Sequence, residues 1–273
     1  MRVAVAGGTG LVGRYVVEEL VAAGREPVVL SRSRGVDLVS GEGGAGLDAA
    51  LEGVDAVVDV SNVTTTSARK SVAFFDAVGR NLLDAGERAG VRHHVVLSIV
   101  GIDRVGLGYY RGKLRQEDVA RGAPVPWSVL RATQFHEFAE QTLDRVPGPF
   151  AVVPRMRTQP IAAREVARQL VKLAAGPAQG MAPDLAGPRV EQLVDMVRRL
   201  LRARGERRLV VPVRMPGAVG AAMTGDGQLP VADAGAGAAD VSGARGSETF
   251  DEWLARHVVR GGRSSGRPSV RGG

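Results

Sequence analysis

The chain contains no cysteine among its 273 residues, which excludes disulfides, thiolate metal sites and a cysteine nucleophile. Lysine is nearly as scarce, confined to Lys70, Lys113 and Lys172, and aromatic residues make up only 4% of the chain. No apolar run approaches the roughly 18 residues of a membrane helix. The opening MRVAVAGG meets glycine too soon to hold a signal-peptide core. A cytoplasmic protein with no membrane partner is the expectation. Acids are missing from the end of the chain: Arg256, Arg260, Arg263, Arg267 and Arg271 follow Glu252, and no Asp or Glu does. These five account for most of the formal net charge of +7, since the chain up to Glu252 holds 31 basic and 29 acidic residues. The charge describes a tail rather than a basic face, so no nucleic-acid partner is expected.

What is abundant is apolar sequence, 44% of the chain, arranged in short runs that alternate with longer periodic ones. Arg2 to Ala6 reads as a strand, Leu11 to Ala23 as a helix, and Pro27 to Ser31 and Ala56 to Val60 as buried strands, with a short helix over Leu47 to Leu51. A long helix is expected over Ser67 to Ala89, a strand over His94 to Val100, a helix over Tyr109 to Arg121 and a strand over Trp127 to Arg131. This alternation predicts an α/β fold, a Rossmann-type doubly wound parallel sheet. From about residue 151 to 260 the pattern changes to helices at Ile161 to Ala175 and Val190 to Ala203 with short strands such as Leu209 to Val213. That part is expected to form a small C-terminal substrate-binding lobe on a nucleotide-binding core of about residues 1 to 150, the two making one domain. Val210 to Arg245 reads as an irregular apolar segment. Thr249 to Glu252 reads as a capping box for a last helix through Trp253 to Val259, and residues 261 to 273 as a disordered basic tail.

Between the first strand and the first helix stands Gly7-Gly8-Thr9-Gly10-Leu11-Val12-Gly13, which satisfies GxxGxxG and GxGxxG at once. Glycine lets the backbone turn sharply and approach a pyrophosphate, while the helix start offers unpaired N–H groups. In this position the motif predicts dinucleotide binding. An acid after the second strand would hold the ribose hydroxyls of NAD, but the sequence there is Ser31-Arg32-Ser33-Arg34. Two guanidinium groups and two hydroxyls suit a 2'-phosphate, so the expected cofactor is NADP(H).

Tyr109 and Lys113 lie four apart and share a helix face, and Ser98 falls at the carboxyl edge of the preceding strand, where open α/β sheets bind ligands. With VAVAGGTGLVG, VVLSIVG, YYRGK and WSVLRATQFHEF in place, the chain resembles the short-chain dehydrogenase/reductase superfamily, in particular its atypical, NmrA-like branch of NAD(P)H-binding reductases. The resemblance covers about residues 1 to 140 well and the remainder less specifically. It implies Tyr109 as proton donor, Lys113 as its activator and a nicotinamide-ribose ligand, and Ser98 as the group that orients the substrate oxygen. Tyr110 stands three from Lys113, so a one-residue helix shift would present it instead. Asn81 sits within the long helix, and the Asn of the full catalytic tetrad is not identifiable.

Ser61 and Asn62, after the third strand, are expected on the nicotinamide side. Gln134, Phe135 and His136, after the last apolar strand, are candidates for substrate binding. His93 and His94 are expected to be solvated and to make a poor metal pair, and no metal site is expected. Taken together these features predict an NADP(H)-dependent oxidoreductase that passes hydride to a carbonyl, quinone or activated double bond of a small apolar substrate, with a homodimer compatible. Two alternatives stand beside it: a non-catalytic NADP(H)-sensing regulatory protein of NmrA type, and an epimerase or dehydratase that restores its nucleotide.

Overall fold

In the computed structural model the described residues are 1–41, 46–145, 147–231 and 245–261. The first half alternates strand and helix: β1 (Arg2–Ala6), α1 (Leu11–Ala22), β2 (Glu26–Leu30), α2 (Gly46–Leu51), β3 (Ala56–Asp59), α3 (Ala68–Arg88), β4 (His93–Ile99), α4 (Gly108–Arg121) and β5 (Trp127–Ala132). The order continues with α5 (Phe138–Asp144), β6 (Phe150–Pro154), β7 (Arg157–Thr158), α6 (Ala163–Ala175), β8 (Gly180–Met181), β9 (Glu191–Gln192), α7 (Leu193–Arg204), β10 (Leu209–Val213), α8 (Gly217–Thr224) and α9 (Phe250–Gly261).

Six strands form one parallel sheet in the order β2-β1-β3-β4-β5-β8, with Val5 level with Val29 on one side and Val58 on the other. The pleat sends alternate residues of β1 to opposite faces. Val3 and Val5 pack with Val16 and Leu20 of α1 and with Val166 and Leu170 of α6, while Ala4 and Ala6 join Val78 and Leu82 of α3. Both faces are covered, as an all-parallel sheet requires. The structure is therefore the doubly wound Rossmann-type sheet that the alternation predicted, with the strands' carboxyl ends gathered along one edge.

The chain after β5 builds a second apolar core from Met156, Leu193, Val197, Met223, Phe250 and Trp253, which Ile102 from the loop after β4 joins. Here β6 and β10 pair in parallel as a separate two-stranded sheet, Ala151 opposite Val210. Neither β6 nor α5 was expected from the sequence, and α8 gives regular structure to part of the segment read as irregular. The capping box forms: the Thr249 N–H donates to Glu252 Oε2 at 2.8 Å, and the Glu252 N–H donates back to Thr249 Oγ1 at 3.3 Å. Residues 262–273, most of the expected tail, lie outside the described residues.

Candidate functional site

The glycine turn closes on itself through the backbone. The Gly10 N–H donates to Gly7 O at 2.9 Å, and Gly7 adopts φ 79°, a conformation that other residues enter at a cost. Gly13 meets the turn so closely that a Cβ there would lie 2.2 Å from Gly7 O and 2.6 Å from Gly8 Cα. α1 starts just past Gly10 with no side-chain cap and no acid in its first turn, so its first N–H groups remain available. Val12 is buried and Leu11 leans on the core, so those two residues offer the site their backbone alone, whereas Thr9 is exposed. Ser61 backs onto Gly7, and its buried Oγ has no hydrogen-bond partner among the described residues. At the end of β2, Ser31 and Ser33 pair through their hydroxyls at 3.0 Å. Arg32 and Arg34 are exposed and form no ion pair among the described residues. A cradle with no room for a Cβ, uncapped N–H groups, an orphaned hydroxyl and two unpaired guanidinium groups together fit a phosphorylated dinucleotide.

Across the sheet edge, α4 lies tight against the first turns of α3. A Cβ on Gly112 would fall 2.1 Å from Ser71 Oγ, and that hydroxyl donates to Tyr109 O at 2.9 Å. Tyr109 is thereby aimed at the loop after β3, where its Oη donates to Asn62 Oδ1 at 2.7 Å. The Val63 N–H donates to the same oxygen at 2.8 Å, which fixes the amide with its NH2 turned away from both donors. Tyr110 is buried in the second core, so of the two it is Tyr109 whose hydroxyl reaches the loop after β3. Burial, reinforced by Tyr110, pushes the Tyr109 phenol well above its usual pKa and keeps it protonated.

Lys113 is buried one turn further along. Its Nζ donates to Leu97 O at 2.6 Å and to Gln116 Oε1, and it lies 4.8 Å from the centre of the Phe75 ring, whose edge-on neighbour is Tyr109. Burial lowers its pKa to about 8, against the opposing pull of Asp59 and Glu117. Gln116 in turn donates to the buried Asp59 at 2.6 Å, and Asp59 accepts the Ser61 N–H at 2.9 Å. One hydrogen-bonded chain thus ties the lysine to the loop that borders the glycine turn.

A model of an NAD(P)H-binding family matches residues 7–177. The chain belongs to this NAD(P)H-binding family. A reductase of Streptomyces griseus, named (4-alkanoyl-5-oxo-2,5-dihydrofuran-3-yl)methyl phosphate reductase, is 36% identical over 155 residues, which are 53% of this chain and 50% of that protein. The match thus spans about half the length of that relative. Among solved structures, UDP-N-acetylglucosamine 4-epimerase from Bacillus cereus aligns over 98% of each chain with TM-score 0.68 and 18% identity. An NADPH-dependent quinone oxidoreductase from Escherichia coli aligns over 93% of this chain and 99% of its own with TM-score 0.63 and 16% identity. At these identities the two structures attest the shared fold.

Within this family member, several residues sit differently from expectation. Ser98 is buried and gives its proton to Glu117 Oε1 at 2.6 Å. Glu117 also accepts Arg131 on both oxygens at 2.8 Å and Arg121 at 2.8 Å, and Arg131 continues to Asp103 at 3.0 Å. A buried hydroxyl in a charge-assisted bond to a carboxylate that two guanidinium groups hold in place is not released to a substrate oxygen as a bond to a neutral amide is, so Ser98 belongs to this ionic network. His136 is buried beneath the C-terminal segment, with Nε2 3.1 Å from Glu248 O and its ring against Phe250 and Trp253. That cover removes it from the substrate edge, and burial lowers its pKa to about 4. Phe135 pairs with Ile161 and packs into the first core. Gln134 alone of the three faces Tyr110, at 3.5 Å. His93 and His94 are buried, not solvated, because β4 is an inner strand with both faces covered. His93 meets Ser128 Oγ at 2.9 Å, and burial lowers the His94 pKa to about 4. Asn81 donates to Leu38 O and Val39 O and has a structural role. Asp59, Gln116, Glu117 and Gln228 were not anticipated. The i, i+3 and i, i+4 spacings of Gln116 and Glu117 from Lys113 were the only signal for any of them.

Proposed function

We propose that the protein is an NADP(H)-dependent oxidoreductase that reduces a carbonyl, quinone or activated double bond of a small apolar compound. The observation that carries this reading is Tyr109, held protonated and aimed at Asn62, one helical turn from a buried lysine at the nucleotide edge of the sheet. A bound NADPH supplies hydride. The glycine turn and the start of α1 hold its pyrophosphate, and Arg32 and Arg34, with Ser31 and Ser33, hold the 2'-phosphate. Tyr109 delivers the proton to the substrate oxygen. Lys113 has one N–H left after Leu97 and Gln116, and its charge at neutral pH stabilises the phenolate that Tyr109 becomes. With Ser98 bound to Glu117, the Asn62 NH2 is the donor beside Tyr109 for the substrate oxygen. Ile99, Leu107 and Leu114 border this side against the second core and suit an apolar substrate. The Streptomyces relative, named as a reductase of an (alkanoyl-oxo-dihydrofuranyl)methyl phosphate, supports a substrate that bears a carbonyl.

NADPH oxidation against a panel of quinones, aldehydes, ketones and enones, with Tyr109→Phe beside the wild type, tests this reading. A fall in kcat of about 100-fold or more is expected for loss of a positioned proton donor. Equal turnover by both proteins removes Tyr109 from the chemistry, and tight NADPH binding without any turnover favours a nucleotide sensor.

A further inference from the structure

The second core spends three polar side chains where apolar ones would pack as well. Tyr110 and Gln228 are buried, and Gln134 is partly so. Gln228 Nε2 donates to Tyr110 Oη at 2.6 Å, and Gln134 Nε2 approaches the same oxygen at 3.5 Å. Gln134 Oε1 is taken by the Thr158 hydroxyl at 2.7 Å. Two groups are left over. Among the described residues the Tyr110 proton has no acceptor, and Gln228 Oε1, on a residue only 1% exposed, has no partner. A buried polar atom without a partner costs about 1–3 kcal/mol and marks a place where a further group belongs. Turning the Gln228 amide over lets Tyr110 donate to it but strands the NH2 instead, so one group stays unmatched in either rotamer.

We infer that Tyr110, Gln228 and Gln134 form a substrate-recognition subsite for a hydroxyl group borne by the compound whose carbonyl is reduced beside Tyr109; this rests on the reductase reading above. A hydroxyl both donates and accepts, so it completes either rotamer, whereas a carbonyl completes only one and an alkyl group neither. The location agrees. Tyr109 and Tyr110 are consecutive on α4 with ring centres 6.1 Å apart, and Gln134 follows β5 at the ligand-binding edge of the sheet. Gln228 arrives on the turn after α8, which Arg104 ties down through Asp226 O at 3.3 Å and Leu229 O at 2.5 Å, and Arg157 through the Asp226 carboxylate. Entry of a substrate hydroxyl to this subsite requires these guanidinium bonds, two exposed and one partly buried, to part.

The test compares carbonyl substrates in pairs that differ by one hydroxyl, such as 1,4-naphthoquinones and aromatic aldehydes with and without it, on the NADPH-loaded wild type, Gln228→Leu and Tyr110→Phe. Wild-type kcat/KM should favour the hydroxylated member by about 5- to 100-fold. Both variants should bring that ratio close to one while keeping activity on the plain member. An unchanged ratio in the variants overturns the subsite, and a changed melting temperature without a changed ratio shows that the cluster serves stability alone. If no compound is turned over, the reductase reading has failed, but calorimetric titration of the corresponding alcohols and diols into the NADP+ complex still decides the subsite. A preference for the extra hydroxyl that both variants abolish supports it, and no preference overturns it.

Discussion

Lys113 makes the charge balance of the site measurable without a substrate. Its side chain is buried, and burial lowers its pKa from 10.5 to about 8. In the unfolded chain it titrates near 10.4. Between these values the unfolded state binds one more proton than the folded state, so the lysine's contribution to stability rises with pH through that window and is flat below it. One pKa unit corresponds to about 1.4 kcal/mol, so the rise between pH 8 and 10 is about 2 to 3 kcal/mol. Lys113→Met keeps the length and apolar body of the side chain and removes the titration. Urea unfolding of both proteins at half-unit steps from pH 7 to 10, followed by circular dichroism, gives the difference in stability at each pH. Wild type minus variant should climb over that range. The raised Tyr109 pKa acts in the opposite direction above pH 10 but is common to both proteins. A difference that is flat or falls with pH refutes the placement of a charged, desolvated lysine at position 113.

Two further outcomes follow from the nucleotide cradle. Arg32→Ala should weaken NADPH binding about 10- to 100-fold, the worth of a charge-assisted hydrogen bond, while NADH changes little; equal weakening in fluorescence titrations removes the 2'-phosphate assignment. Gly13→Ala places a Cβ 2.2 Å from Gly7 O, a backbone atom with nowhere to retreat. It should cost about 1–3 kcal/mol of stability and abolish the rise in melting temperature that NADPH gives the wild type, and a retained rise contradicts the cradle.

Local patterns announced the parts of the molecule that local physics decides. The glycine turn, the flanking β1 and α1 and the alternation through β5 were all legible, because strand burial and helix periodicity are written into neighbouring residues. The capping box at Thr249 was legible for the same reason. What escaped depends on distant partners. β6 follows Pro149 and ends on Pro154, a poor strand context on its own, and pairs with β10 more than fifty residues later. His136 looked like a substrate ligand until Glu248, 112 residues on, covered it. Ser98 stood at the right strand end, yet Glu117 of α4, held in place by Arg131 of β5, accepts its proton. The buried state of His93 and His94 follows from β4 lying between β3 and β5, an order that no window of sequence contains.

The central claim, net hydride transfer with Tyr109 as acid, is tested most directly with NADPH carrying deuterium at the transferable position of the nicotinamide. With any carbonyl compound that the protein turns over, mass spectrometry should find one deuterium on the carbon that received hydride, one equivalent of NADP+ per product, and loss of both in Tyr109→Phe. Product free of deuterium, or product formed with no NADPH consumed, contradicts it.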